Sequence, residues 1–205
     1  MKTRVVWKEN KVISIETSDG IYVLAQMLVS PFLLFFNHFS SDDKWLDVEL
    51  NHESILFCKA VTRQFLKCSS VVSHIEVQAL QDPEISQIWI KLNPNPYLVK
   101  IWENSTDEME FICMGEGGGS LVEINIHDKG LNSGTIVQKN IAFDDVYHID
   151  NYEILDVEIY PNLNERLFLC YKLGKNVDPY KELIFKRPLR KEYKRYFEIM
   201  SGKKR

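Results

Sequence analysis

The N-terminal third of the chain contains a segment in which apolar and polar residues alternate, followed by short apolar runs. Residues 11–16 alternate with period two, residues 17–20 read Thr-Ser-Asp-Gly, and a mostly apolar run follows over residues 21–28. Two such runs joined by a short Asp-Gly turn predict a β-hairpin. Residues 32–36 are apolar throughout and predict a short buried strand after the hairpin.

The rest of the chain contains further strand-like runs. Proline-containing breaks at residues 81–83 and 93–96 separate them from the N-terminal strands. The predicted strands cover residues 88–92, 97–102, 109–114, 120–126, 135–137, 152–160 and 166–173. Short strands with Gly, Asn and Asp turns between them indicate antiparallel sheet. The chain forms one domain, or two sub-domains split near 81–96: a small barrel-like part (1–80) and an antiparallel sheet with a C-terminal helix (97–205).

The C-terminal segment predicts an amphipathic helix. Pro188 suits a first helical residue and Gly202 suits the position after a helix end. Apolar residues recur between them at spacings of three and four, at Leu189, Tyr193, Tyr196, Phe197 and Met200. Lys and Arg residues lie off this stripe, so the apolar side should pack on the sheet. The predicted fold class is therefore α+β and strand-rich, an antiparallel sheet or partly open barrel with a docked C-terminal amphipathic helix.

Charge is sorted along the chain although the formal net charge of the 205 residues is only -4. Residues 102–170 contain 14 Asp and Glu against 3 Lys and Arg, and residues 181–205 contain 3 Glu against 10 Lys and Arg. An apolar content of 45% is that of a folded globular protein. An acidic block and a basic helix favour binding to another macromolecule over turnover of a small substrate.

The N-terminus and the cysteines indicate a cytoplasmic protein. The first residues contain no apolar stretch followed by a small-residue cleavage site, so no signal peptide is predicted. The apolar run over residues 21–36 is interrupted by Gln26, Ser30 and Pro31 and is too short to span a bilayer. Four scattered cysteines without a Cys-x-x-Cys pair are expected to be reduced thiols.

No motif in the sequence predicts catalysis, a metal site or a cofactor. His74 and Glu76 match the His-x-Glu half of a zinc deaminase motif, but the Pro-Cys-x-x-Cys half is absent. Residues 115–119 are rich in glycine but lack the Lys-Ser/Thr of a phosphate-binding loop, so a hairpin tip is favoured. The five histidines do not cluster in sequence, although a fold could gather distant ones. We expect no enzyme activity and no cofactor.

Residues 152–160 are the candidate interface. With period two, Leu155, Val157 and Ile159 should enter the core. The opposite face and three nearby carboxylates then form the predicted partner-binding set: Asp144, Asp145, Asp150, Tyr152, Ile154, Asp156, Glu158 and Tyr160. Aromatic residues supply contact area and carboxylates supply orientation in such a surface. The alternative is an ordinary solvated strand face.

Residues 11–28, Lys-Val-Ile-Ser-Ile-Glu-Thr-Ser-Asp-Gly-Ile-Tyr-Val-Leu-Ala-Gln-Met-Leu, precede Pro-Phe-Leu-Leu-Phe-Phe at residues 31–36. This succession of strand, Asp-Gly turn, strand and hydrophobic strand resembles the opening of the immunity protein 26 family, over about residues 8–75. The resemblance implies a protein that neutralises a cognate toxin of a bacterial polymorphic toxin or contact-dependent inhibition system by binding it. No site residue is carried over from that family.

The leading hypothesis is therefore an immunity protein that inhibits a toxin domain, a basic nuclease, by occlusion through an acidic surface. The alternative is a nucleic-acid-binding module that uses the basic C-terminal helix, in which Arg190, Lys194 and Arg195 would contact phosphates. This alternative predicts that the protein binds DNA or RNA, and that this binding weakens steeply as the salt concentration rises.

Overall fold

Strands outnumber helices in the computed structural model, which describes residues 5–72, 75–127 and 134–202. The strands are β1 (Val12–Glu16), β2 (Tyr22–Met27), β3 (Phe32–Ser40), β4 (Ile55–Val61), β5 (Ser70–Val72), β6 (Ile88–Leu92), β7 (Pro96–Ile101), β8 (Met109–Met114), β9 (Gly119–Glu123), β10 (Thr135–Gln138) and β11 (Val157–Glu158). The helices are α1 (Arg63–Cys68), α2 (Val146–Asn151), α3 (Asn162–Leu173), α4 (Pro179–Ile184) and α5 (Lys194–Met200). The predicted strand-rich α+β class is confirmed.

The chain divides into two units, and each unit is built from two separate stretches. Unit 1 contains the described residues up to Ile85 together with Asp156–Val177. Unit 2 contains the described residues of Ser86–Leu155 and those from Asp178 onward. The first boundary, between Ile85 and Ser86, lies within the residues 81–96 expected to separate two sub-domains, and the chain then returns to unit 1 after Leu155.

Unit 1 is organised by a curled half-barrel sheet of six strands in the order β11-β4-β3-β2-β1-β5. β1 and β2 pair as the predicted antiparallel hairpin, with Glu16 opposite Tyr22. β11 is short and pairs in parallel with β4. The residues of β3 from Phe32 to Phe36 are all buried, as the uninterrupted apolar run predicts. Complete burial of such side chains stabilises the fold by about 1.5–3 kcal/mol each.

α3 corrects the prediction of a strand over residues 166–173. Leu163, Leu167 and Cys170 follow a helical spacing of four and three, and all three are buried. The helix ends where Gly174 adopts a left-handed conformation with φ 65°. The Leu-rich stretch also alternates with period two, so periodicity alone favoured the wrong element there.

Unit 2 contains the antiparallel sheet β10-β9-β6 and the hairpin β7-β8. In β8, Met109, Phe111 and Cys113 are buried and the residues between them are exposed. The Gly-rich residues 115–119 do not form the expected hairpin tip, because β8 pairs with β7 and β9 pairs with β6, so this segment connects two different sheets. Gly119 is required at the start of β9, because a Cβ there would lie 2.6 Å from the carbonyl oxygen of Lys91.

The C-terminal helix docks on the β7-β8 hairpin, as predicted. The Phe197 side chain is fully buried, and its ring lies 5.9 Å from that of Phe111 and 5.8 Å from that of Trp102. Tyr193 and Tyr196 are also buried. The α-helix is shorter than predicted, because residues 191–193 form a 3-10 turn before α5 begins.

All four cysteines are free thiols, and Cys58, Cys113 and Cys170 are buried. No helix among the described residues combines the length and the apolar character needed to cross a membrane.

Candidate partner-binding surface

The predicted interface over residues 152–160 is not a single strand. Ile154 forms an isolated parallel bridge with Ile90 of β6 in unit 2. Two residues later the chain has entered unit 1, where Val157 and Glu158 pair with Ala60 and Val61 of β4. The predicted residue set is therefore divided between the two units.

Burial along this segment contradicts the predicted faces at four positions, whereas Tyr160 is exposed as expected. Val157 and Ile159, expected in the core, are 42% and 50% exposed, and Leu155 is half-buried. Ile154 and Glu158, expected to face outward, are 1% and 9% exposed. Ile154 and Glu158 consequently do not belong to an exposed surface.

Glu158 is buried because it belongs to a group of ionic side chains inside unit 1. We call Lys59, Asp156, Glu158 and Arg166 the Lys59 charge cluster. Lys59 is fully buried, and its Nζ atom lies 2.5 Å from Oδ1 of Asp156 and 3.7 Å from Oε1 of Glu158. Two carboxylates thus offset the cost of removing one ammonium from water.

Arg166 carries the second buried cation of the cluster. Its Nη1 atom lies 4.0 Å from Oε1 of Glu158, and its guanidinium carbon lies 4.0 Å from the ring centroid of Phe57. Its Nε donates to the carbonyl oxygen of Val177 at 2.8 Å, and its Nη2 donates to Asn176 at 3.0 Å. These contacts are made to several elements of unit 1, so the cluster stabilises the position of α3.

The two residues before Arg166 attach α3 to the sheet in a similar way. Nδ2 of Asn164 donates to the carbonyl oxygen of Glu16 at 2.7 Å. Glu165 accepts a hydrogen bond of 2.7 Å from the hydroxyl of Ser18. Both Asn164 and Glu165 are buried. Sequence reasoning missed this polar layer because it combines residues about 100 or more positions apart.

The predicted residues of unit 2 do come together, around α2. Asp145 is the N-cap of this helix, and its side chain accepts from the backbone N–H of His148 at 3.1 Å. Its second oxygen lies 2.6 Å from Nδ1 of His148. The hydrogen bond from the His148 side chain lowers the pKa of Asp145 below its ordinary value. Asp145 therefore has a structural role in addition to its charge.

Aromatic rings continue this surface along α2. The ring centroids of Tyr147 and His148 are 5.2 Å apart, and those of His148 and Tyr152 are 5.9 Å apart with the ring planes at 22°. Tyr152 is half-buried, and loss of hydration raises the pKa of its phenol. Its carbonyl oxygen accepts from Nζ of Lys181 at 2.9 Å. These contacts hold the outer ring, that of Tyr147, in place.

The exposed residues of this region are mainly apolar. Phe143, Val146 and Tyr147 are 39%, 60% and 64% exposed, and Asp144 is exposed between them. We call Phe143, Asp144, Asp145, Val146, Tyr147 and Tyr152 the α2 surface. Asp150 pairs with Arg187, so its charge is partly compensated. Phe143, Val146 and Tyr147 were not predicted, although the mixture of aromatic and acidic residues over 143–147 was visible in the sequence.

Within the described residues, the other candidate chemical groups do not form a site. In the part of the chain that the structure describes, no three His, Cys, Asp or Glu side chains are arranged to hold a metal ion. His74 of the His-x-Glu pair lies outside the described residues.

Of the three cations expected to contact nucleic acid, Arg190 is exposed and the other two form ion pairs. Lys194 pairs with Asp107 at 2.5 Å, and Arg195 pairs with Glu198 at 3.3 Å. Tyr193 and Tyr196 are 1% and 3% exposed and so are not available for stacking on bases.

A family model described as domain of unknown function DUF8309 matches residues 2–188, and the chain belongs to this family. The match extends over both units of the fold. No curated protein and no solved structure matches the chain. The resemblance to the immunity protein 26 family stays a prediction.

Proposed function

We propose that this DUF8309 protein is a cytoplasmic immunity protein that binds a basic toxin domain, a nuclease, and occludes it through the α2 surface. The observation that supports the proposal most directly is the exposed group Phe143, Val146 and Tyr147 beside the carboxylates of Asp144 and Asp145. Exposed apolar side chains grouped together and bordered by charge are typical of protein-binding sites.

The two kinds of residue have different roles in this proposal. Val146 and Tyr147 supply the area that is removed from water, and Tyr147 is already ordered by its contacts with His148 and Tyr152. Ordering before binding lowers the entropy cost of forming the complex. The carboxylates attract a cationic cleft, and they affect the association rate and its salt dependence more than the final affinity.

The location of the surface differs from the location predicted by sequence. Asp144, Asp145 and Tyr152 are retained from the predicted set, and Tyr160 is the exposed member that lies in unit 1. Substitution of Tyr147, which belongs to the α2 surface, can therefore be compared with substitution of Tyr160. The comparison shows whether a partner contacts the α2 surface or the segment of residues 152–160.

The test uses the C-terminal domain of the protein encoded by the neighbouring upstream reading frame, which the proposal requires to be a toxin. This domain is co-expressed with the protein and then purified for binding measurements. We expect Val146→Ala with Tyr147→Ala to weaken the complex at least tenfold, because anchor residues contribute about 2 kcal/mol or more. Tyr160→Ala is the matched control and should leave the affinity unchanged. Asp144→Asn should slow association and reduce its salt dependence.

The proposed surface is abandoned if the Tyr160 variant weakens binding and the α2 variant does not. The immunity function itself is abandoned if co-expression yields neither a complex nor protection of the cell. Nucleic-acid binding through the C-terminal segment is not proposed, since Tyr193 and Tyr196 are buried and Lys194 and Arg195 are ion-paired.

A further inference from the structure

A groove of about 970 Å³ lies in unit 1, between α1, β5 and the N-terminal stretch around Trp7. Its volume is at the upper end of the range of pockets that bind small molecules, about 300–1,000 Å³. None of the residues of the Lys59 charge cluster or the α2 surface is among those that line it. The groove is therefore distinct from both the Lys59 charge cluster and the α2 surface.

One part of the groove is apolar and is held firmly in place. The indole of Trp7 donates from Nε1 to the carbonyl oxygen of Leu28 at 2.8 Å, which fixes the orientation of the ring. Val61 at the end of β4 is 3% exposed, and Leu66 of α1 is half-buried. A ligand would find preformed apolar walls here.

The other part of the groove is basic. Arg63 and Lys67 are four residues apart on α1, so they lie on the same side of the helix, and both are exposed. The helix is fixed beneath them by Phe65, which is fully buried, and by Thr62, whose hydroxyl accepts from the Phe65 N–H at 3.2 Å.

Among the described residues, the cations of the groove have no acidic ion-pair partner. The described residues that line it include no Asp or Glu, and within the described chain neither Arg63 nor Lys67 forms an ion pair. Like charges four residues apart on a helix are mutually unfavourable. The hydroxyls of Ser30 and Ser70, which also line the groove, are additional hydrogen-bond donors.

We propose that this groove binds a small ligand that combines an anionic headgroup, a carboxylate or a phosphate, with an apolar body. The headgroup accepts hydrogen bonds from Arg63 and Lys67, and the apolar body packs against Trp7 and Leu66. Charge-assisted hydrogen bonds to the headgroup relieve the repulsion between the two cations. The inference does not depend on the proposed immunity function, because it concerns different residues in the other unit.

The probe for the test is 1-anilinonaphthalene-8-sulfonate, an anionic fluorophore with an apolar body, and its uncharged analogue is N-phenyl-1-naphthylamine. We expect Arg63→Gln with Lys67→Gln to weaken binding of the anionic probe at least tenfold and to leave the uncharged analogue unaffected. Lys172→Gln with Lys175→Gln makes the same change in net charge at exposed positions of unit 1 outside the groove, and it should have no effect.

Competition identifies the headgroup. Decanoate and decyl phosphate, each below its micelle concentration, should displace the anionic probe, whereas decanol and decyltrimethylammonium should not. Stronger competition by one of the two anions assigns the headgroup as carboxylate or phosphate.

Equal binding of the anionic probe by the wild type and the groove variant overturns the proposal, as does displacement by decanol as effective as that by decanoate. Displacement by an extended acidic peptide, an acetylated four-fold repeat of Glu-Val, but by neither decyl anion also overturns it, in favour of a peptide site along the edge strand β5.

Discussion

Removing the two carboxylates around Lys59 should destabilise unit 1, whereas the exposed strand face expected from the sequence would tolerate their removal. If residues 152–160 formed an exposed strand face, Asp156→Ala with Glu158→Ala would weaken a complex without unfolding the protein. The structure instead places both carboxylates against the fully buried Lys59. Asp156→Asn with Glu158→Gln keeps the side-chain size and removes only the negative charges.

The magnitude follows from the burial of the three groups. Breaking a buried ion pair by removing one partner costs about 3–5 kcal/mol, because the remaining charge stays in a poorly solvated site. The Asp156 side chain is 31% exposed, so water compensates part of the loss. We therefore expect about 3 kcal/mol for the double variant. For a chain of this size each kcal/mol lowers Tm by about 2–4 °C, so the expected decrease is roughly 6–12 °C.

The assay is urea denaturation followed by circular dichroism, with thermal unfolding as a second measurement. Asp144→Asn with Glu123→Gln is the matched control, because it makes the same two chemical changes at exposed positions. Adding Lys59→Met to the double variant should recover part of the stability, because it removes the uncompensated ammonium from the interior of unit 1. Full recovery is not expected, since Arg166 also loses the Glu158 carboxylate in this variant.

Two results would refute this reasoning. The first is an unchanged midpoint for Asp156→Asn with Glu158→Gln. The second is a destabilised double variant to which Lys59→Met restores none of the lost stability, since the uncompensated ammonium would then contribute nothing to the loss.

Two further predictions concern titration and thiol reactivity. His148→Ala should raise the pKa of Asp145 toward its ordinary value of 3.8 in a carboxyl NMR titration, whereas Tyr147→Ala should not. Because folding lowers this pKa, the associated stability is present above pH 3.8 and is lost as the pH falls through the folded-state value. In the native protein Cys68 should react first with a maleimide, as read by mass spectrometry, because it is the one cysteine that is not buried. Cys113 should react slowly, since burial also raises the pKa of its thiol.

Local sequence patterns were sufficient to predict those elements whose buried side can be recognised from a few neighbouring residues. The β1-β2 hairpin follows from alternation and an Asp-Gly turn, and the packing of α5 follows from apolar residues at helical spacing. α3 was mistaken for a strand because Leu167 and Leu169 also satisfy period two. Gly174, which ends this helix in a left-handed conformation, was a usable signal that favoured a helix.

The site was less predictable than the fold because its members come from distant stretches. Asp144, Asp145 and Tyr152 are close in sequence and do lie near one another around α2. Lys59 and Asp156 are 97 residues apart, so no local pattern relates them. When residues are classed only as apolar or polar, every carboxylate is expected at the surface. This expectation is wrong for a carboxylate that pairs with a buried cation.

The segment from Ile154 to Glu158 shows how these two effects reversed the predicted faces. A period-two assignment requires one continuous strand with one buried face. Here Ile154 lies in unit 2 and bridges to β6. The chain then enters unit 1, where Val157 and Glu158 pair with β4. Glu158 turns inward because Lys59 and Arg166 lie inside, and Val157, its neighbour on the same short strand, must then face outward. The exposure of Val157, the apolar residue of β11, is therefore a consequence of the buried charges, and this exposure alone is not evidence of a binding surface.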